Sequence, residues 1–146
     1  MISRLCPAPL SSHRVLIALT ARERALFLAK AGKANPLGED ILCTWPADAD
    51  LSDESWEKTL CESRPTIILS GWGMPSLPAR WLRSPDCSLR YICHVAGSVR
   101  QIVPRSFLEH GGLVSNWGGF AAPFVAEHAL LLALSALRHQ NAWRPF

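Results

Sequence analysis

The stretch PTIILSGWG, residues 65–73, decides the fold predicted for this chain. Its apolar residues follow one another without alternating with polar ones, and glycines end the run. Strands that are covered by helices on both faces have this continuous apolar pattern, and parallel sheets are built from such strands. The stretch therefore predicts a central strand of a parallel sheet.

Strand and helix patterns alternate on both sides of this stretch. Further strands are predicted at HRVLIAL (13–19), EDILCTWP (39–46), LRYICHV (89–95) and LVSNW (113–117). Helices are predicted within residues 21–32, 50–63, 74–86, 103–112 and 124–139. This alternation is typical of a parallel sheet with helices on both faces. We therefore predict an α/β fold, a flavodoxin-like doubly wound parallel sheet of about five strands with a long apolar C-terminal helix.

Composition limits the size of the core and the kinds of partner. A chain of 146 residues with 49% hydrophobic content can enclose one good core, so we expect one globular domain. The net charge of +3 is mild and the arginines are scattered, which argues against a nucleic-acid partner. The five cysteines form no C-x-x-C pair and no metal-ligand spacing, so we expect reduced thiols in a cytoplasmic protein and no metal site.

The chain shows no pattern of a membrane protein. Residues 1–12 have no continuous apolar run of a signal sequence, and we expect them to form a disordered lead-in. The longest apolar segment, residues 121–137, is shorter than the roughly 20 residues that cross a bilayer, and it contains Glu127 and His128. We therefore predict no membrane contact.

Small residues follow three of the predicted strands. The loops are Ser70-Gly71-Trp72-Gly73, Ala96-Gly97-Ser98-Val99 and Asn116-Trp117-Gly118-Gly119. Ligands of open parallel sheets bind where such loops leave the carboxyl ends of the strands, and successive bare N–H groups suit a carboxylate or phosphate. Glycine-rich turns between strand and helix also occur where no ligand binds, so this alternative stays open.

The second half of the chain resembles the N-terminal substrate domain of the D-isomer-specific 2-hydroxyacid dehydrogenases. The motifs that carry the resemblance are LRYI, AGSV and GGLVSNWGGFAAPFVAEHALLLALSALR, within about residues 65–138. The resemblance implies that residues 13–120 form a substrate-binding α/β domain. It also implies that residues 121–146 form an interdomain helix and the truncated link to a missing dinucleotide-binding domain.

The resemblance implies a role for individual residues. Ala96, Gly97, Ser98 and Val99 match the turn whose main-chain amides receive the substrate carboxylate. Loop residues Ser70, Gly71, Trp72 and Gly73 match a segment that lines the substrate pocket, and Asn116 matches the asparagine at a strand end. The family's Asp-Asn pair is replaced by Arg100 and Gln101. Arg100 is a candidate to approach an anionic substrate, with a solvent-exposed surface arginine as the equal alternative.

The family's cofactor and catalytic groups have no counterpart in this sequence. NAD or NADP binds the missing domain, which carries G-x-G-x-x-G and supplies the catalytic arginine, glutamate and histidine. Of the chain's own histidines, His94 lies beside the carboxylate turn and is the best candidate for acid or base chemistry. An ordinary hydrogen-bonded structural histidine is the alternative. We therefore assign no catalytic residue to this chain.

Two functions from different classes remain. The first is the N-terminal part of an NAD(P)-dependent D-2-hydroxyacid dehydrogenase or 2-oxoacid reductase of glyoxylate, hydroxypyruvate or phosphoglycerate type, which would be inactive alone. Its ligand would be a small 2-hydroxy or 2-oxo acid. The second is a non-enzymatic module that binds a carboxylate or dimerises. In either case the apolar C-terminal helix is expected to pair two copies of the chain.

Overall fold

A computed structural model describes residues 13–28, 41–44, 46–139 and 142 of the chain. The predicted lead-in, residues 1–12, lies outside the described residues. The end of the first predicted helix, beyond residue 28, lies outside them too.

The core of the fold is a five-stranded parallel sheet. Its strands are β1 (Arg14–Ala18), β2 (Leu42–Thr44), β3 (Ile67–Ser70), β4 (Tyr91–His94) and β5 (Leu113–Ser115). Their order across the sheet is β2-β1-β3-β4-β5, and every adjacent pair is parallel. This order is that of the flavodoxin-like fold, so the predicted fold class is confirmed, with β3 as the central strand.

Helices connect the strands. They are α1 (Ala21–Phe27), α2 (Asp53–Ser63), α3 (Ala79–Leu82), α4 (Arg105–Glu109) and α5 (Ala122–Leu137). A short 3₁₀ helix, Asp48–Leu51, precedes α2 and was not expected from the sequence. Ser52 is the N-cap residue of α2, and Pro104 is that of α4. The apolar C-terminal helix begins two residues earlier than expected and ends at Leu137.

Apolar side chains cover both faces of the sheet. On one face, Leu16, Ile68 and Ile92 pack with Trp56 of α2 and Trp81 of α3. On the opposite face Val15, Ile17 and Leu19 form a second cluster. Because successive residues of a strand point to opposite faces, a strand with apolar contacts on both faces needs an unbroken apolar run. The stretch at residues 67–69 has such a run for this reason.

The carboxyl ends of the three central strands lie side by side. Ala18 is in register with Ser70, and Ser70 is in register with His94. The loops that follow β1, β3 and β4 therefore leave the sheet at one edge, which we call the carboxyl edge.

The chain divides into two compact units, Met1–Asn116 and Trp117–Phe146. The first unit contains the sheet and α1 to α4, and the second contains α5. The predicted functional division into residues 13–120 and 121–146 stays a prediction. No helix in the part of the chain that the structure describes is long and apolar enough to cross a membrane.

Candidate functional site

The first feature of the carboxyl edge is a buried hydrogen bond between the ends of β3 and β4. Ser70 Oγ and His94 Nδ1 lie 3.0 Å apart, and both residues are buried. The main chain joins the same two ends, because the Val95 amide donates to the Ser70 carbonyl at 2.8 Å. Side chain and main chain together fix the point at which the turn of residues 96–99 begins.

Burial sets the protonation of this pair. Desolvation lowers the pKa of His94, and the negative charge of Glu23 opposes this shift only in part. The imidazole is therefore neutral at neutral pH, when one ring nitrogen donates and the other accepts. His94 lies two residues before the turn in the sequence, and its contact with Ser70 is what a structural histidine also makes, so both interpretations of His94 stay open.

The second feature is a buried carboxylate that holds the loop after β3. Glu23, on α1, accepts hydrogen bonds from the Thr20 amide at 2.8 Å and the Thr20 hydroxyl at 2.9 Å. Its other oxygen accepts from the Gly73 amide at 2.9 Å, and the Trp72 amide contributes as well. The protein's own carboxylate thus occupies two amides, those of Trp72 and Gly73, of the loop that the sequence indicated as a ligand site.

These hydrogen bonds determine the charge of Glu23. Burial raises its pKa, but the hydrogen bonds from Thr20, Gly73 and Trp72 more than compensate, so the net pKa is lowered. A carboxylate that accepts several N–H bonds is favoured in its charged form even when it is desolvated. Glu23 is therefore a fixed negative charge behind the loop.

Glu23 also explains two glycines. A Cβ added to Gly71 would lie 2.5 Å from Glu23 Oε1 and 2.8 Å from a methyl of Leu19. One added to Gly73 would lie 2.5 Å from the methyl of Thr20. The glycines in this loop are needed for packing against α1, which is a sufficient reason for their presence without a ligand.

The third feature is the turn of residues 96–99, which differs from the loop after β3. No described residue accepts a hydrogen bond from the main-chain amides of Ala96, Gly97, Ser98 or Val99. A Cβ at Gly97 would meet nothing within 4 Å. Gly97 and Ser98 are exposed, whereas Ala96 is buried. The exposed part of the turn therefore has two successive N–H groups that no described residue occupies, and its glycine is not explained by the packing of the described chain.

Asn116 orients this turn. Its side-chain amide donates to the carbonyl oxygen of Gly97. The described chain has no cis peptide bond, so the Ser98 N–H, which belongs to the same peptide plane, points opposite to that carbonyl. Asn116 therefore fixes the direction of the Ser98 N–H. Its predicted part in substrate binding stays a prediction.

The remaining predicted residues lie at the surface. Trp72 is largely exposed, and its ring packs at a tilt of 49° against that of Phe27, with centroids 5.3 Å apart. Arg100 is exposed, and its amide contacts the Ser98 hydroxyl at 3.4 Å. In the part of the chain that the structure describes, no hydrogen bond or ion pair holds either side chain toward the turn.

Glu23 is the residue that the sequence analysis missed. The signal was present, because Thr20-Ala-Arg-Glu23 is a capping box in which the N-cap threonine and the N3 glutamate satisfy each other's amides. What the motif does not reveal is that the second carboxylate oxygen reaches Gly73 at the end of another strand. That contact depends on the pairing of β1 with β3.

Within residues 13–28, 41–44 and 46–139, no group of three or more His, Cys, Asp or Glu side chains is placed to hold a metal ion. No protein-family model, no curated protein and no solved structure matches this chain. The function must therefore be argued from the site itself.

Proposed function

We propose that this chain is the substrate-binding part of an NAD(P)-dependent D-2-hydroxyacid dehydrogenase, and that the turn of residues 96–99 holds the carboxylate of a 2-hydroxy or 2-oxo acid. The observation that carries the proposal is the set of available amides in this turn. Consecutive N–H groups in a turn form a concavity that suits an anion. The resemblance of the sequence to that family supplies the class of substrate.

The surroundings of the turn favour a small carboxylate. Gly97 leaves room for it, Asn116 fixes the Ser98 N–H, and Arg100 adds a positive charge next to the turn. In the neighbouring loop, the amides of Trp72 and Gly73 already donate to the Glu23 carboxylate, so these two amides are not available to a ligand anion. The neutral His94 lies behind the turn and supports it through Ser70.

The described residues do not fit a nicotinamide dinucleotide. Pyrophosphate binds at a glycine-rich first turn of the sheet, against the N-terminus of the following helix. Here the turn after β1 contains Thr20 rather than glycines, and Glu23 places a negative charge where the pyrophosphate would lie. In this proposal the cofactor and the catalytic groups belong to another domain, and this chain contributes substrate binding alone.

A titration of the isotope-labelled chain with D-glycerate, followed by amide NMR, tests the proposal. We expect saturable shifts at residues 96–99, and none with glycerol, which replaces the carboxylate by a neutral group. Asn116→Ala should weaken binding about 3- to 10-fold, since a misdirected amide loses a charge-assisted hydrogen bond. Ser115→Ala, at the preceding exposed position, should leave binding unchanged.

Several results would contradict the proposal. Equal shifts with glycerol would show that the turn does not recognise charge. Shifts that leave out residues 96–99 would place the anion elsewhere. Loss of binding in Ser115→Ala would show that the effect of Asn116→Ala comes from disturbance of the local structure and not from the loss of a specific contact. Separate additions of NADH and NADPH should cause no saturable shift.

We propose also that two copies of the chain pair through α5. Its large apolar side chains are exposed around the helix, namely Phe124, Val125, Leu130, Leu131, Leu132, Leu134 and Leu137. Apolar surface of this extent favours association. Sedimentation velocity should detect a dimer, and the double change Leu130→Lys and Leu134→Lys should yield a monomer with unchanged helical circular dichroism.

A cytoplasmic location belongs to the same proposal. Three of the cysteines that the structure describes, Cys61, Cys87 and Cys93, are free thiols. Reduced cysteines fit a compartment in which glutathione and thioredoxin keep thiols reduced. Thiol counting on the purified native and unfolded chain tests the first part of this argument.

A further inference from the structure

A pocket of about 340 Å³ lies at the edge of the sheet opposite the carboxyl edge. Its lining includes Leu89 and Arg90, which precede β4, and Gly111 and Gly112, which precede β5. The ends of α3 and α4 complete it. Pockets for small ligands begin at about 300 Å³, so this one has room for a small organic molecule.

The floor of the pocket is apolar and well fixed. Leu89 and Phe107 line it and are 6% and 5% exposed. A Cβ at Gly112 would lie 2.4 Å from the Phe107 ring, so glycine at this position lets the ring lie flat against the chain. The Gly112 amide donates to the Phe107 carbonyl at 2.9 Å, which fixes this arrangement.

The lining also includes two arginines. Arg83 and Arg90 form no ion pair with any residue that the structure describes. The acidic residues close in sequence are engaged elsewhere, since Asp86 pairs with Arg64 at 3.4 Å and Glu109 pairs with Arg105 at 3.1 Å. The pocket therefore combines uncompensated positive charge with a buried apolar floor.

We propose that this pocket is a second binding site, for a small organic anion that carries an apolar body. Guanidinium groups recognise carboxylates and phosphates through two parallel N–H bonds, so Arg83 and Arg90 would hold the anionic group. The apolar body would lie against Leu89 and Phe107. This site is separate from the turn of residues 96–99, and it depends on neither the dehydrogenase resemblance nor the carboxylate binding proposed there.

Phenyl phosphate is a suitable probe because it has both features. In an amide NMR titration we expect saturable shifts at Gly111 and Gly112. Inorganic phosphate, which lacks the ring, and benzyl alcohol, which lacks the charge, should each bind at least about tenfold more weakly, since each loses one of the two contributions. Benzoate in place of phenyl phosphate shows whether the site prefers a carboxylate.

Variants test the role of the arginines. Arg83→Gln combined with Arg90→Gln should weaken phenyl phosphate binding by at least about tenfold, because both charge-assisted contacts are lost. Arg105→Gln removes an equal charge from neighbouring α4, outside the pocket lining, and should have little effect. All of these arginines are exposed, so the variants should unfold at the urea concentration of the parent chain.

Cys87 provides an independent readout. Its thiol is partly buried and lines the pocket, whereas Cys61 is exposed on α2. Phenyl phosphate should slow alkylation of Cys87 and leave that of Cys61 unchanged, as measured by peptide mass spectrometry. The proposal is overturned if benzyl alcohol binds as well as phenyl phosphate, if the double variant binds normally, or if Cys87 is not protected at saturating probe.

Discussion

Ser70 Oγ lies 3.0 Å from His94 Nδ1, and this contact joins the buried ends of the two strands that support the turn of residues 96–99. Both residues are almost inaccessible to water. A buried polar pair of this kind must be complete, because a buried donor or acceptor without a partner costs free energy.

Ser70→Ala should destabilise the chain. The change leaves His94 Nδ1 buried without a partner, and we expect the free energy of unfolding to fall by about 1–2 kcal/mol. Urea denaturation followed by tryptophan fluorescence measures the loss. Ser115→Ala also removes a serine hydroxyl that bonds a side chain, that of Tyr91, but at an exposed position. It should cost less than about 0.5 kcal/mol; equal losses would contradict the role assigned to Ser70.

The glycines at the carboxyl edge should respond differently to alanine. Gly71→Ala places a methyl group 2.5 Å from Glu23 Oε1, so the loop or α1 must move, and we expect a loss of about 1–3 kcal/mol. Gly97→Ala adds a methyl group to open space and should change stability by less than about 0.5 kcal/mol. Thermal denaturation of both variants checks the difference, and a Gly97→Ala variant that is the less stable of the two would refute it.

Glu23→Gln keeps the shape of the side chain and removes its charge. One of the atoms that face the Thr20 and Gly73 amides becomes an NH₂ group, which cannot accept, so we expect a loss of about 2–3 kcal/mol in the free energy of unfolding. Glu62→Gln, at an exposed position on α2 where the carboxylate pairs with Lys58 at 3.8 Å, should change stability by less than about 0.5 kcal/mol. The urea midpoints of the two variants provide the comparison.

Acid should destabilise the chain through His94 before it does so through Glu23. The pKa of His94 is below its ordinary value of 6.5 because burial disfavours the imidazolium, so the unfolded chain takes up the proton first. The contribution of neutral His94 to the free energy of unfolding is complete above pH 6.5, and it is lost as the pH falls from there toward the folded-state pKa.

The pKa of Glu23 is below its ordinary value of 4.5, since the hydrogen bonds from Thr20, Gly73 and Trp72 outweigh burial. The contribution of Glu23 to the free energy of unfolding is present above pH 4.5 and is lost as the pH falls through the folded-state pKa.

Urea denaturation at pH 7.5, 6.5 and 5.5 tests the part played by His94. The free energy of unfolding should decline less over this range for His94→Gln than for the parent chain. Parallel curves for the two proteins would show that His94 does not titrate in this window.

The sequence predicted the sheet better than the site. Apolar runs bounded by glycines and other small residues located all the strands that the structure describes, because a buried parallel strand needs a continuous apolar run and a turn needs small residues. The positions of these glycines in the sequence did not indicate which groups of the protein, if any, lie against them. Gly71 and Gly73 make room for Glu23, whereas Gly97 borders open space, and the difference depends on contacts between residues about fifty positions apart. The pocket lined by Arg83 and Arg90 was not predicted at all, since its lining comes from four separate segments.

The strand order also determines when the sheet can assemble. β1 pairs with β3, and the contact between Arg14 and Thr66 spans 52 positions. Until β3 has been synthesised, the apolar residues of β1, which are fully covered in the finished fold, lack the neighbour at the centre of the sheet. A growing chain therefore carries the apolar residues of β1 without this neighbour while the 52 positions between the paired residues are synthesised, and a chaperone would protect the chain most during this interval.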